Sequence, residues 1–416
     1  MLLHAQSALG IVAILTLAWV VSENRRAFPV RTVLAGLALQ VVLALLLLKI
    51  PVARDILFSL NGVVDALMEA TRAGTAFVFG YAGGGDTPFA VTNPRALGSF
   101  AFQILPLVIV ISALAALLWH WRILPVIVRA FAFVLRKLMG IGGAVGLGAA
   151  ATFFLGMIEA PLLIRPYLAK LSRSELFVLF TVGLATVAGT VFVLYASILE
   201  PVIPGALGHI LVASLLSLPS GILIARIMIP GAEETEGDAA TALNYRSSMD
   251  AVARGTADGL QLWLGIVAML LVMVALVALA DIVLKHFPDA WGTPLTVERI
   301  FGWIFAPVVW LYGVPWEKAA TAGALMGDKT ILNEFVAYLK LASLPPDALD
   351  PRSRLIMLYA MCGFANFGSV GILIAGVGGL VPERRNEVVP LALRALLSGT
   401  MASGLTGAII GLLPLQ

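Results

Sequence analysis

Two glutamates stand inside apolar stretches and are the side chains best suited to chemistry. Glu159 lies in LGMIEAPLL and Glu334 in ILNEFVAYL. An acidic residue at membrane depth faces a water-filled cavity or a partner, and is a functional-site candidate by default. A carboxylate can accept two hydrogen bonds from a vicinal diol, or bind a cation or a proton. Alternatively, each glutamate pairs with a nearby base, for example Arg165 or Lys329, and only holds its segment closed.

A second group of polar residues lies in the sequence GFANFGSVG, which contains Phe364, Asn366 and Ser369. The amide and the hydroxyl supply donors and acceptors for a polar ligand, and the phenyl ring could stack on a planar one. Thr186 and Thr190 form a similar group in GLATVAGTV. Small polar residues also hold helices together in membranes, so a purely structural role stays open for both groups.

One further arrangement could bind a hard cation. The Thr152 hydroxyl, with backbone carbonyls near Leu155 and Val187, could form an oxygen cage for Na⁺. Threonine hydroxyls also bond back to their own helix, which is the competing interpretation. The four histidines are scattered without the spacing of metal ligands, and one cysteine, Cys362, allows no internal disulfide.

The composition places these residues in a membrane. Of 416 residues, 60% are hydrophobic and 12% charged, and the mean hydropathy is +0.99. A soluble domain carries about twice that charged fraction, so a soluble enzyme and a disordered chain are both excluded. The net charge of +3 comes from loop Arg and Lys, which indicates membrane topology rather than nucleic-acid binding.

Long apolar segments predict eight transmembrane helices. They run at about 8–22, 33–51, 100–119, 175–198, 206–230, 259–284, 354–380 and 388–414. Clusters of Arg and Lys at 25–31, 122–137, 165–173 and 384–385 belong on the cytoplasmic side. Eight spans satisfy this rule if both termini are periplasmic. The mixed-charge segment 231–258 is expected to be a solvated cytoplasmic linker.

Two segments cannot lie as plain helices in lipid, because Gly, Pro and charged residues interrupt them. We interpret 141–170 (hairpin 1) and 316–342 (hairpin 2) as re-entrant hairpins. An amphipathic stretch, expected to be an interfacial helix, precedes each one, at 122–137 and 298–312. The same order of elements thus occurs twice: a span, an interfacial helix, a hairpin and two further spans. The charge pattern predicts that the two copies cross the membrane in opposite directions. Inverted repeats with broken segments in corresponding positions are typical of secondary transporters with a site near the midplane.

Several motifs resemble the concentrative nucleoside transporter family. They are IEAPLLIRPYLAKLSRSELF at 158–177, GLATVAG at 183–189, GVPWEKAATAG at 313–323, LNEFVAY at 332–338 and CGFANFGSV at 362–370, with GTAFVFG at 74–80 and ILPLVIVISAL at 104–114 further upstream. The order of elements is the same over nearly the whole chain. The resemblance implies a homotrimer whose protomers each hold a scaffold domain and a transport domain that moves as an elevator, importing nucleosides with Na⁺ or, in some members, H⁺.

The resemblance also implies roles for single residues. Glu334, Asn366 and Ser369 would hold the ribose, and Phe364 would lie near the base, with Val191 in the same substrate site. These sugar-side positions match the family.

The base side departs from the family pattern. Hairpin 1 usually carries Gly-Gln-Thr-Glu, and here reads Gly156-Met157-Ile158-Glu159. Two hydrogen-bonding side chains near the base are therefore apolar, which predicts an altered base preference, weaker binding or a different ligand.

At the implied ion site the usual asparagine is Thr152 and the usual serine is Thr186. Both still offer oxygen, and Leu155 and Val187 would add carbonyls. A proton carried by Glu159 is the competing means of coupling.

We therefore predict an all-α, ion-coupled nucleoside importer of the inner membrane with no catalytic residues and no cofactor. Its predicted partners are a nucleoside, Na⁺ or H⁺, the bilayer and two further copies of the chain, and no nucleic acid. One alternative keeps the fold but imports a non-nucleoside or modified-nucleoside metabolite. Another is an enzyme acting on a lipid-linked substrate with Glu159 and Glu334 as acid and base, but the sequence lacks a nucleophile–base pair or a metal cluster.

The predicted domains follow the repeats. Residues 1–139 and 232–315 are assigned to the scaffold, the second range including the linker. Residues 140–231 and 316–416 are assigned to the transport domain.

Overall fold

The computed structural model describes residues 2–52, 55, 59, 61–93, 97–157, 159–231, 235, 244–290 and 292–414. Within these ranges the regular secondary structure is helical, apart from one isolated bridge between Ala290 and Thr293, and turns and irregular segments connect the helices. Helices satisfy backbone hydrogen bonds within one segment, as a lipid environment requires. The all-α fold predicted from composition is therefore observed in this part of the chain.

The first half of the chain contains these helices: α1 Leu2–Val20, α2 Val30–Lys49, α3 Asn61–Phe79, α4 Leu107–His120, α5 Ile123–Met139, α6 Gly143–Phe154, α7 Glu159–Leu163, α8 Arg165–Leu168, α9 Arg173–Ala185, α10 Gly189–Leu199 and α11 Ala206–Met228. The second half contains α12 Ser248–Leu284, α13 Val297–Leu311, α14 Trp316–Ile331, α15 Glu334–Ser343, α16 Pro351–Met361, α17 Phe367–Leu380 and α18 Arg385–Leu412. A span, an amphipathic helix, a hairpin and two further spans thus occur twice in order, as predicted. The first of these two further spans is broken in both copies.

Seven helical stretches of the described residues are long and apolar enough to cross a membrane, or eight if the bent pair α13 and α14 counts as one span. They correspond to seven of the predicted spans. The eighth, expected at 354–380, consists of α16 and α17 with an extended break between them. The pair α13 and α14 is bent by 116°, so the second amphipathic helix meets its hairpin at a sharp corner.

One expectation about helix positions was wrong, and one helix was missed. The linker expected at 231–258 ends earlier, because α12 begins at Ser248 and the Ser247 side chain caps it by accepting from the Asp250 N–H. Helix α3 was not expected. Its charges, Asp65, Glu69 and Arg72, lie at helical spacing on one face, so a test for amphipathic periodicity would have found it.

Helices α9, α10, α11 and α18 are mostly buried, whereas α12 exposes most of its surface. The buried side of α12 is a seam of small residues, Ala251, Gly255 and Gly259. A Cβ on Gly255 would meet the Ser112 carbonyl oxygen of α4 at 2.7 Å. Small residues at this spacing let two membrane helices approach backbone to backbone, so α4 and α12 form one tightly packed pair.

An ion-pair cluster joins the loop after α1 to the start of α9 and to Arg394 of α18. The Glu23 carboxylate accepts from Arg173 at 2.9 Å and also contacts Arg394. Hydrogen bonding from the Arg173 guanidinium holds the pKa of Glu23 below its usual value, so this stabilisation is present at neutral pH and is lost as the pH falls through that lowered pKa. The loop after α1, the start of α9 and helix α18 are therefore held together by one shared carboxylate.

Candidate functional site

The two broken spans cross where each of them is unwound. Helix α9 ends at Ala185 and α10 begins at Gly189, and Thr186 and Ala188 are extended between them. We call residues 186–188 the first break and residues 362–366, between α16 and α17, the second break. The Phe364 N–H donates to the Thr186 carbonyl at 3.1 Å, so a backbone hydrogen bond joins the two breaks directly.

Carbonyls at the breaks receive further hydrogen bonds from outside. The Val187 carbonyl accepts from the Ser214 hydroxyl at 3.3 Å, and the Ala365 carbonyl accepts from the Lys329 ammonium at 2.9 Å. A Cβ on Gly363 would meet the Ala185 carbonyl oxygen at 2.7 Å, so glycine is required there for the close crossing. Unwound backbone at membrane depth is tolerated because such partners satisfy it.

The Glu334 carboxylate of hairpin 2 is buried next to this crossing. Its Oε1 accepts from the Tyr195 hydroxyl at 2.6 Å, and its Oε2 accepts from Asn366 Nδ2 at 3.2 Å. Glu334 is also the first residue of α15, where the helix dipole favours a negative charge. The carboxylate is therefore fixed by two donors on different elements while each oxygen retains acceptor capacity.

Asn366 performs two tasks at the second break. Its Oδ1 accepts from the Ser369 N–H at 2.7 Å and so caps α17, which leaves Nδ2 for Glu334. Asn366 and Ser369 are both buried, and Phe364 is half-buried. The structure thus brings together three of the residues predicted for the sugar side, Glu334, Asn366 and Ser369, with Phe364 beside them in the same break.

Lys329 is buried without solvent exposure on the first arm of hairpin 2. Its direct partner is the Ala365 carbonyl, and among the described ion pairs it makes none with Glu334. Lys329 thus joins hairpin 2 to the second break through the Ala365 carbonyl, and compensation of the Glu334 charge by this ammonium stays a hypothesis.

The tip of hairpin 1 packs on the first break. A Cβ on Gly183 would lie 3.1 Å from Met157 Cβ, and one on Gly189 would lie 2.8 Å from the Phe154 carbonyl oxygen. Met157 and Val191 are buried here. Glu159 is exposed in the isolated chain, unlike Glu334, so the two glutamates occupy different environments. Ile158 lies outside the described residues.

The hairpin turn depends on Gly156, whose φ is +110°. A Cβ there would lie 3.0 Å from Glu159 Oε2 and 3.1 Å from Ala188 Cβ. Left-handed backbone is rarely adopted by residues with a side chain, so glycine holds the hairpin tip against the break.

We expect Gly156→Ala to destabilise the protein by about 1–3 kcal/mol and to impair transport, since strain at a positive φ adds to the steric contact. Denaturant unfolding and uptake by the purified protein measure the two effects. Gly371→Ala is the control, because a Cβ at that position in α17 meets no atom within 4 Å. Equal behaviour of the two variants would contradict this role for Gly156.

The residues predicted for the ion site lie around the first break, but their hydroxyls are engaged. Thr152 Oγ1 donates to the Ala149 carbonyl at 2.6 Å and Thr186 Oγ1 to the Val182 carbonyl at 2.9 Å. Both threonines are buried. A hydroxyl that donates its hydrogen keeps its lone pairs, so these oxygens can still coordinate a cation. Leu155 caps the C-terminus of α6 beside them.

Sequence reasoning did not single out Tyr195. It lies in the apolar run VFVLYASIL, four residues after Val191 and therefore on the same helical face. That spacing, one helical turn after a predicted site residue, was the available signal. Its partner Glu334 is 139 positions away along the chain.

Comparison with known proteins defines the class. Residues 209–411 match the family description "Na+ dependent nucleoside transporter C-terminus", residues 9–82 match its N-terminal counterpart, and residues 101–202 match a nucleoside recognition family. The chain is therefore a polytopic membrane transporter rather than an enzyme.

Individual relatives and solved structures are similar to this chain over nearly its whole length. The nucleoside permease NupC of Helicobacter pylori is 34% identical, covering 98% of this chain and 97% of the relative, and the transporter YutK of Bacillus subtilis is 36% identical, covering 97% and 98%. The structure of CNTnw in an inward-facing substrate-bound state matches with a TM-score of 0.89 at 33% identity, covering 98% of both chains. A CNTnw variant in an outward-facing state matches with a TM-score of 0.90 at 32% identity, covering 99% of this chain and 98% of the other. The chain belongs to the concentrative nucleoside transporter family.

Proposed function

We propose that the chain imports nucleosides across the cytoplasmic membrane by symport with Na⁺. The observation that supports it best is the Glu334 carboxylate, buried and fixed by Tyr195 and Asn366. Two oriented carboxylate oxygens suit the 2′- and 3′-hydroxyls of a ribose, and the Asn366 amide and Ser369 hydroxyl add polar groups beside them. Phe364, Val191 and Met157 would line the base side, with the exposed Glu159 at its rim and Ile158 beside it by sequence.

The proposed mechanism is an elevator in which residues 140–231 and 316–416 move against residues 1–139 and 232–315. The tight α4–α12 pair supports a rigid scaffold. Helix α1 contacts both units, because Ser7 donates to the Tyr312 carbonyl and His4 Nδ1 lies 3.0 Å from the Leu412 carbonyl oxygen. During transport, either these contacts of α1 would break and re-form, or α1 would move together with the transport domain. The exposed face of α12 would contact lipid and the other subunits of a trimer, and both termini would be periplasmic.

Uptake of labelled nucleosides into proteoliposomes tests the function. We expect an inward Na⁺ gradient to drive accumulation of at least one ribonucleoside. The purine and pyrimidine members of the panel report the effect of Met157 and Ile158 on base preference. Uptake driven only by a proton gradient would assign coupling to H⁺, with Glu159 as the candidate proton carrier. No uptake of any nucleoside by folded protein would favour a different metabolite as the substrate.

We expect Thr186→Val to raise the Na⁺ concentration for half-maximal uptake by about tenfold, since one oxygen ligand is lost without a change of shape. Thr181→Val is the matched control. Thr181 is buried on α9, five residues before Thr186, but its Oγ1 pairs with the Ser398 hydroxyl at 2.7 Å. An unchanged Na⁺ dependence in Thr186→Val would remove this residue from the ion site.

A further inference from the structure

The position of the Glu334 carboxylate depends on a tyrosine from the other half of the chain. Tyr195 belongs to α10 of the first repeat, whereas Glu334 begins α15 of the second. The 2.6 Å contact between Tyr195 Oη and Glu334 Oε1 is a buried hydrogen bond to an ionisable acceptor. Hydrogen bonds to charged acceptors are short and stronger than neutral ones. A single phenolic hydroxyl therefore links the helix after the first break to hairpin 2.

The Tyr195 ring is held rigidly enough to position its hydroxyl. The side chain is 3% exposed. Its ring packs edge-on against Tyr338 with centroids 5.2 Å apart, and Phe335 lies 6.2 Å away. Tyr338 is itself anchored, because its hydroxyl donates to the Leu358 carbonyl at 2.9 Å. The donor to Oε1 is thus fixed by packing independently of any ligand.

Two fixed donors determine the orientation of the carboxylate plane. Rotation about the last side-chain bond of a glutamate is soft, and Asn366 alone would hold only Oε2. Because Tyr195 donates to Oε1 and Asn366 to Oε2, the remaining lone pairs of both oxygens have fixed directions. A vicinal diol uses both oxygens at once, whereas a sugar with one hydroxyl uses one. Loss of the Tyr195 bond should therefore weaken a diol more than a single hydroxyl.

We propose that Tyr195 is a positioning residue that sets the preference of this transporter for substrates with an intact ribose diol. The proposal rests on the proposed function, because it names how the sugar part of that same site is selected. Tyr195 acts through Glu334, by holding its carboxylate in the orientation that accepts two hydroxyls.

The test compares Tyr195→Phe with Tyr338→Phe in proteoliposomes. Both remove one buried hydroxyl from adjacent tyrosines, but only Tyr195 donates to Glu334. The probes are uridine and adenosine, each with its 2′-deoxy and 3′-deoxy forms. For Tyr195→Phe we expect the KM of the ribonucleoside to rise about tenfold, the KM of the deoxy forms to rise less than threefold, and the maximal rate to stay within twofold. Tyr338→Phe should leave the ratio of ribose to deoxyribose KM values unchanged.

A carboxylate band in the infrared spectrum provides a second readout that needs no transport. The band lost in Glu334→Gln should shift in Tyr195→Phe and stay in place in Tyr338→Phe. Any of three results would overturn the proposal. They are a carboxylate band that does not shift in Tyr195→Phe, a KM that rises equally for the ribose and deoxyribose probes, and a Tyr195→Phe protein that does not fold although Tyr338→Phe does. Wild-type protein that takes up no nucleoside would instead count against the proposed function, and the band would still decide the role of Tyr195.

Discussion

Replacing Glu334 by glutamine should reduce nucleoside uptake by about 100-fold or more, since charge-assisted hydrogen bonds contribute about 1.5–3 kcal/mol each and the ribose would lose its charged acceptor. The substitution keeps the shape of the side chain. Both donors that now point at the carboxylate, Tyr195 and Asn366, would compete for the one amide oxygen. In either orientation of the amide, one buried hydrogen is left without an acceptor.

Uptake and binding by the purified Glu334→Gln protein measure this effect, and size-exclusion chromatography checks that its assembly is unchanged. Glu298→Gln is the matched control. That carboxylate lies on α13, contacts Lys340 at 3.4 Å and is half exposed, so its loss should leave uptake within about twofold, as expected for an exposed pair. Wild-type uptake in Glu334→Gln would eliminate the ribose-binding role.

The order of elements could be predicted because it depends on patterns local in sequence. Apolar length gave the spans, and the interruptions at Gly156, Pro161 and Asp328 indicated both hairpins. The length of α12 was underestimated, because its first turns are polar and only the Ser247 cap marks where it begins. Local charge counts cannot distinguish a solvated linker from a helix that extends past the apolar region.

The candidate site was harder to predict, because its contacts join distant segments. Glu159 and Glu334 have similar sequence surroundings, yet one is exposed and the other buried. Burial of a carboxylate depends on what packs over it, and here that is Tyr195 from α10 and Asn366 from the second break. Lys329 could be identified only as a nearby base. Its contact with Ala365 depends on how the unwound second break passes over hairpin 2.

Lys329→Met is expected to lower the free energy of unfolding by about 3–5 kcal/mol, because the buried Glu334 carboxylate would lose a buried positive charge on the same hairpin, and an uncompensated buried charge costs about that much. Methionine fills a similar volume, so the loss is mainly electrostatic. The Ala365 carbonyl would also lose its donor at 2.9 Å, which loosens the second break where it presents Phe364 and Asn366. We therefore expect transport to fall together with stability.

Denaturant unfolding and uptake test this prediction against Lys318→Met. Lys318 lies on the same helix, and its ammonium likewise donates to a backbone carbonyl, that of Asp347, but at the surface. The control should change the unfolding free energy by less than about 1 kcal/mol, as for other surface substitutions.

A double variant separates charge compensation from packing. If Lys329 stabilises the structure mainly by balancing Glu334, Lys329→Met combined with Glu334→Gln should be less destabilised than the sum of the two single variants, because the uncompensated carboxylate is gone. Strict additivity would show that the two charges act independently. Lys329 would then matter only for its hydrogen bond to Ala365, and the buried Glu334 would derive its stability from Tyr195, Asn366 and the α15 dipole alone.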